Sequence, residues 1–314
     1  MNNLEQKILE GLLRESYEIH IRNAGVYRFP SSYEFREHSH RDVEMIYVNS
    51  GHCIMGIGKS FVPLKQGDYI SISGSIPHCF VVDTRKNCSI TQLEFEMKMP
   101  ESLKEGMPFL CQDRKYYKLV SGETVRFLME NICRIFRMPG DAEQRETQLL
   151  FGFLQLFLAV SQKLEKAKGE KEKNGKAGRV EHIIRYLSEN YESDICMEDL
   201  AQRFGLSSRY IRKCFTQEAG MSCQQYIATL RINKAKEFLW YTSDTVTEIA
   251  MKTGFNSSQY FSRVFQQYTE MTPMEYRNLW RGSKAQELCD ISGEGVDEND
   301  KQRELFGSCP QTGI

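Results

Sequence analysis

Several absences narrow what this 314-residue chain can be. No apolar run reaches the ~18 residues that a membrane helix requires. The nearest candidate, 149–160, is interrupted by Gln155. The opening residues lack the basic, then apolar, then small-residue order of a secretory signal. Ten cysteines are scattered without a C-x-x-C pair, which argues against a zinc site or a disulfide framework and for the reduced thiols of a cytosol. With a net charge of −1, the chain as a whole is no general binder of polyanions. What remains is a chain with 40% hydrophobic residues, enough for two domains with real cores.

The most informative stretch runs from Glu198 to Arg277, where one short helical pattern is written twice. Asp199-Leu200-Ala201 and Phe204-Gly205-Leu206 return as Glu248-Ile249-Ala250 and Thr253-Gly254-Phe255. Tyr210, Phe215, Met221, Ser222 and Tyr226 return as Tyr260, Phe265, Met271, Thr272 and Tyr276. A constant period of roughly 50 residues marks a duplicated supersecondary unit. Each copy reads as a helix, a tight turn at Gly205 or Gly254, and a second helix capped by Ser207 or Ser257. Between the copies, Ser222 and Gln225 form an S-x-x-Q capping box that opens a helix of about 20 residues. At ~1.5 Å per residue it spans roughly 30 Å, close to the ~34 Å between successive major grooves on one face of B-DNA. A protein-binding helical solenoid is the alternative, but solenoids need three or more units.

The run Leu230-Arg231-Ile232, Lys234-Ala235, Ile249-Ala250, Gly254-Phe255, Tyr260-Phe261-Ser262-Arg263-Val264-Phe265, Thr272-Pro273 and Tyr276-Arg277 resembles the AraC/XylS family of bacterial transcription regulators. The resemblance spans about a hundred residues from Arg179, with Glu270 where the family usually has glycine and Gln266-Gln267 where it usually has lysines. It implies double-stranded DNA as partner, RNA polymerase as the target of activation, and a homodimer. Within each copy Tyr210, Ile211, Cys214, Phe215 and Tyr260, Phe261, Val264, Phe265 are expected to pack inward. That leaves Ser208, Arg209, Arg212 and Lys213 on the first recognition helix and Ser258, Gln259, Ser262 and Arg263 on the second for DNA. Arginine pairs with guanine O6 and N7, and glutamine with adenine N6 and N7. Serine and lysine suit phosphates. Other readings of these residues are a solvated face for Arg209 and Arg212, and a salt bridge from Arg263 to Glu248.

Residues 1–121 read as short glycine-punctuated strands after a helix at Leu4 to Leu13. Tyr69, Ser71 and Ser73 alternate with Ile70 and Ile72, and Thr91, Leu93 and Phe95 with Gln92, Glu94 and Glu96. Such strands suggest a sandwich or small barrel. His38-Ser39-His40, Glu44 and Gly51, with Gly67 and His78, resemble the two cupin motifs. H-x-H on one strand puts both rings on one face. His38, His40, Glu44 and His78 are a ligand set suited to Fe, Mn, Ni or Zn. The other reading makes them, with Tyr47, the polar lining of an effector pocket, with no cofactor required. By resemblance the leading effector class is sugars and their derivatives.

Residues 122–165 change to helical spacing and carry more apolar positions than one helix face needs, which suggests a dimerisation region. The lysine-rich stretch 166–178 reads as a flexible linker, 179–281 as the DNA reader and 282–314 as an acidic disordered tail. The expected architecture is therefore two-domain: an N-terminal all-β cupin-like barrel with flanking helices, and a C-terminal all-α domain of two helix-turn-helix units joined by a long helix. The expected function is a cytoplasmic, effector-responsive transcription regulator, and not an enzyme. The alternatives are a metal-dependent cupin enzyme fused to a DNA reader, and a ligand-free DNA-binding scaffold.

Overall fold

The computed structural model describes residues 18–31, 33–58, 60–82, 86–98, 107–110, 114–120, 122–173 and 175–279. The helix expected at Leu4 to Leu13 and the acidic tail lie outside them. The chain divides into two compact units, Met1–Arg185 with Lys213–Met221, and Tyr186–Arg212 with Ser222–Ile314.

Nine strands build the N-terminal part: β1 (Glu18–Phe29), β2 (Glu34–His38), β3 (Val43–Ser50), β4 (His52–Ile57), β5 (Ser60–Lys65), β6 (Asp68–Ile72), β7 (His78–Val82), β8 (Cys88–Lys98) and β9 (Tyr116–Val120). They form a five-stranded sheet, β1-β8-β3-β6-β9, and a four-stranded sheet, β2-β7-β4-β5, with every recorded strand pair antiparallel. Alternation decides what each face of the larger sheet meets. Ile46, Val48, Ile70, Ile72 and Ile90 join Met55, Leu64 and Phe80 of the smaller sheet in one core. Met45, Tyr47, Tyr69, Leu93 and Phe95 join the other, beneath helices α1 (Glu123–Arg137) and α2 (Ala142–Lys173). Phe153 and Phe157 of α2 lie with ring centroids 4.6 and 5.9 Å from Phe95. Most of the apolar surplus in 122–165 is consumed by this packing, although Phe127 and Phe151 stay exposed.

The stretch 166–178, expected as a flexible linker, is helical up to Lys173 and again from Gly175. Lysine, glutamate and alanine are good helix formers, and a helix with nothing to bury can still stand in solvent.

Helix α3 (Gly175–Asn190) is followed by α4 (Met197–Phe204), α5 (Ser208–Ala219), α6 (Cys223–Tyr241), α7 (Val246–Lys252) and α8 (Ser258–Thr269), with a last helical stretch at 273–279. The local signals behave as their chemistry dictates. Ser207 Oγ accepts from Tyr210 N at 3.2 Å, and Ser257 Oγ does the same for Tyr260 N. Ser222 and Gln225 close a reciprocal capping box at the start of α6, and Thr245 and Glu248 close another at α7. Helix α6 is buried on opposite sides along its length, at Tyr226, Ile227 and Leu230 and then at Ile232, Ala235 and Leu239. Its second half shares a core with Ile249, Phe261 and Phe265 of α7 and α8.

Glu270 ends α8 in the left-handed region, with φ 62°, where the equivalent position of the first copy is Gly220, with φ 76°. A Cβ there costs roughly 1–2 kcal/mol. Glu270→Gly is therefore expected to raise stability by about 1 kcal/mol, read as a higher urea midpoint. An unchanged or lower midpoint would remove the strain from this account.

Candidate effector site and nucleic-acid interface

Strand pairing brings the sequence-distant polar residues together. His38 of β2 lies opposite His78 of β7, and Glu44 of β3 lies opposite Glu94 of β8. The three imidazoles of His38, His40 and His78 converge, each offering a donor atom within 4.8 Å of the others. Each ring is oriented from behind. Nδ1 faces a backbone carbonyl, that of Arg36 at 3.1 Å for His38, Asp42 at 3.2 Å for His40 and Ile76 at 2.8 Å for His78. A carbonyl only accepts, so Nδ1 carries the proton and a neutral ring keeps its lone pair on Nε2.

Glu44 is buried at the centre. Its Oε2 is 2.7 Å from His78 Nε2 and 3.8 Å from His40 Nε2. Glu44 Oε2, His40 Nε2 and His78 Nε2 nevertheless lack hydrogen-bond partners. Two acceptors at 2.7 Å need a proton or a cation between them. In the metal-free protein the proton fills that role. Burial pulls the His78 pKa down, but the Glu44 carboxylate outweighs it and the net shift is upward. Burial likewise pushes Glu44 up, and contact with His78 and the other imidazoles carries it below its usual value. His38 goes the other way: burial, aided by the charge of His78, holds it down at about 4, so its ring is neutral at pH 7.

This donor set fits a divalent transition metal: three Nε2 atoms, one carboxylate and second-sphere carbonyls that fix the tautomers. It fits equally a ligand rich in hydroxyl donors, because the groups pointing inward are acceptors.

Two calls change here. Tyr47, grouped with the pocket by sequence, faces the other way. It is an odd number of positions from Glu44, so alternation turns it into the core beneath α1 and α2. Conversely, Gln92 and Glu94 belong to the pocket. Gln92 Nε2 donates to Glu44 Oε1 at 2.6 Å and to Glu94 Oε1 at 2.8 Å. Asn23 Nδ2 donates to Glu94 at 3.3 Å, and Arg22 spans Asp42 at 3.4 Å and Glu94 at 3.7 Å. Burial, then the neighbouring Glu44 charge, pushes Glu94 upward. The signal was present in the alternation of 91–96, where two polar side chains share the inward parity of Ile90.

In the helical unit, Arg209, Arg212 and Lys213 are exposed on α5, as are Gln259 and Arg263 on α8. Ser208, Ser258 and Ser262 are half-buried, and Ser208 Oγ donates to Met197 O at 3.4 Å. Glu248 is occupied in capping Thr245, at 2.7 and 2.8 Å, and Arg263 lies over the Tyr260 ring, 5.3 Å from its centroid. Tyr260, expected inside, is 49% exposed. The buried stripe of α8 is Phe261, Val264, Phe265 and Tyr268, and position 260 falls off its edge. Tyr260 thereby joins the exposed surface beside Gln259 and Arg263.

Comparison with known proteins agrees with this division. A family model described as a helix-turn-helix domain matches residues 200–279, and one described as a cupin domain matches residues 25–94. An uncharacterised HTH-type transcriptional regulator of Staphylococcus aureus is 34% identical over 99 residues, 32% of this chain but only 13% of that protein. The HTH-type transcriptional activator RhaS of Citrobacter koseri is 26% identical over 268 residues, covering 80% of this chain and 90% of that protein. Among solved structures, the C-terminal domain of AraT, a response regulator from Geobacillus stearothermophilus, matches 38% of this chain and 92% of its own, at 25% identity and a TM-score of 0.32. The class is that of helix-turn-helix transcriptional regulators, and its relatives here are regulators and not enzymes. Within it, this chain belongs to the AraC family and carries a cupin domain at its N-terminal end.

Arg212→Ala is expected to cost ~1–3 kcal/mol of DNA binding and to relax preference at one base pair. Competition binding against single-base variants of a selected site measures it, and uniform loss across all sequences would move Arg212 to a phosphate contact.

Proposed function

We propose that this chain is a transcription regulator that reads DNA sequence with two helix-turn-helix pairs, α4–α5 and α7–α8, under the control of a small molecule bound between the barrel sheets. The observation that carries the control half is the set of inward acceptors without hydrogen-bond partners at His40, His78, Glu44 and Glu94. Buried polar atoms are costly to leave unpaired, so the site gains most from a ligand that donates several hydrogen bonds. A sugar or sugar derivative meets that demand. Arg209, Arg212, Gln259 and Arg263 read bases, with Ser208, Lys213, Ser258 and Ser262 on phosphates.

The ligand acts by binding one arrangement of the protein better than another; binding alone shifts nothing. The output is activation through RNA polymerase, in keeping with the name of the relative RhaS. The regulator works as a homodimer in the cytoplasm, where its DNA is, and the exposed Phe127 and Phe151 on α1 and α2 supply apolar surface for the second copy. A second reading, favoured by the three aligned imidazoles, has a divalent metal in the same site, held by His38, His40, His78 and Glu44, with the metal itself or a metal-bound molecule as the signal.

Thermal unfolding of the full-length protein with a panel of sugars, and separately with Zn²⁺, Mn²⁺, Fe²⁺ and Ni²⁺ after chelation, distinguishes these readings. One sugar is expected to stabilise the wild type by RT ln(1 + [L]/Kd), about 2.7 kcal/mol at 100 Kd, and to lose that effect in His40→Ala and Glu44→Ala. Stabilisation that survives both substitutions would place the ligand elsewhere.

A further inference from the structure

The two helix pairs meet at one side chain. Arg231, midway along α6, donates from Nε to Tyr191 O at 2.7 Å and from Nη2 to Ser193 O at 2.8 Å. Both carbonyls lie in the loop that leads from α3 into α4. On its other side the guanidinium carbon is 5.6 Å from the centroid of Phe255, in the turn between α7 and α8. Gly254 of that turn has φ +86°, and a Cβ there would meet Glu192 O at 2.4 Å and Arg231 Nε at 3.0 Å. The turn of the second pair is therefore pressed against the entry loop of the first, with Arg231 held at the junction.

Helix α6 alone does not fix this arrangement. The second pair packs on its C-terminal half through rounded apolar side chains, Ile232, Ala235 and Leu239 against Ile249, Phe261 and Phe265, which allow rocking about the helix. A planar fork with two carbonyls and a ring face as partners removes that freedom, because each contact constrains a different direction. Ordinary helix capping does not account for Arg231, since its carbonyls are 38 and 40 residues distant in sequence.

We propose that Arg231 is a positioning residue that sets the separation and rotation between α5 and α8, and thereby the number of base pairs the protein accepts between its two recognition elements. This rests on the reading that both pairs contact DNA. Each added base pair moves the second element about 3.4 Å along the axis and turns it by roughly a tenth of a helical turn. A clamped junction rejects such a shift, and a loosened one absorbs it.

The test uses the full-length protein and duplexes selected from a random pool by the wild type. Affinity is measured for each recognition element alone and for both elements with the spacer altered by one and two base pairs. The wild type is expected to lose about 10-fold or more per base pair of misfit, the equivalent of ~1.4 kcal/mol. Arg231→Gln and Gly254→Ala are expected to flatten that dependence to within about 3-fold, while affinity for each isolated element stays within about 2-fold. Arg231→Lys, which keeps the charge but not the fork, should fall between them and the wild type. A wild-type spacer profile in all three variants overturns the proposal. So does equal loss on isolated elements and on the full site, which would mark a phosphate contact or a general loss of fold. Failure of the wild type to prefer any spacer would instead sink the two-pair reading, and the role of Arg231 with it.

Discussion

The five-stranded sheet is buried on both faces, and that constraint organises everything in the N-terminal unit. One parity of β3, β6 and β8 faces the smaller sheet and the other faces α1 and α2. A polar side chain on such a sheet has no solvent to turn to. Glu44, His78 and Glu94, each at most 4% exposed, persist inside because they serve one another or a ligand. Were the helices absent, Met45, Tyr69 and Phe95 would lose their cover. The sheet that sets the carboxylates opposite each other would then lack its second core.

The same constraint explains what could be read from the chain and what could not. Duplication, the glycine turns, the serine caps and the capping box at Ser222 and Gln225 are local, and local chemistry determines them wherever the helices end up. The histidines and Glu44 were legible through spacing on two strands. Tyr47 was misplaced although parity alone excludes it from the Glu44 face. Gln92 and Glu94 were seen to alternate with apolar neighbours, but which parity faced inward depended on helices far away in sequence. Tyr260 followed from the width of a buried stripe, which a repeat of matched aromatics does not reveal. The run 166–178 had the composition of a linker and the propensity of a helix, and hydrophobicity alone does not choose between them.

The two units store function differently. In the barrel, chemistry is concentrated: three neutral-prone rings, two carboxylates and one bridging amide, with backbone carbonyls setting the direction of each lone pair. In the helical unit it is distributed along exposed faces, and geometry matters more than any single charge. Arg231 and Gly254 show how that geometry is held, through hydrogen bonds and close approach between segments that the sequence keeps far apart.

The central claim is that ligand occupancy of the barrel changes which DNA the protein holds. Selection of genomic fragments by the purified full-length protein, with and without a sugar panel, tests it most directly. The account predicts a small set of fragments sharing two recognition elements, whose occupancy changes with one sugar and no longer changes in Glu44→Ala. Recovery of no selective fragment, or of fragments whose occupancy is the same with every sugar and with each divalent metal, would contradict it.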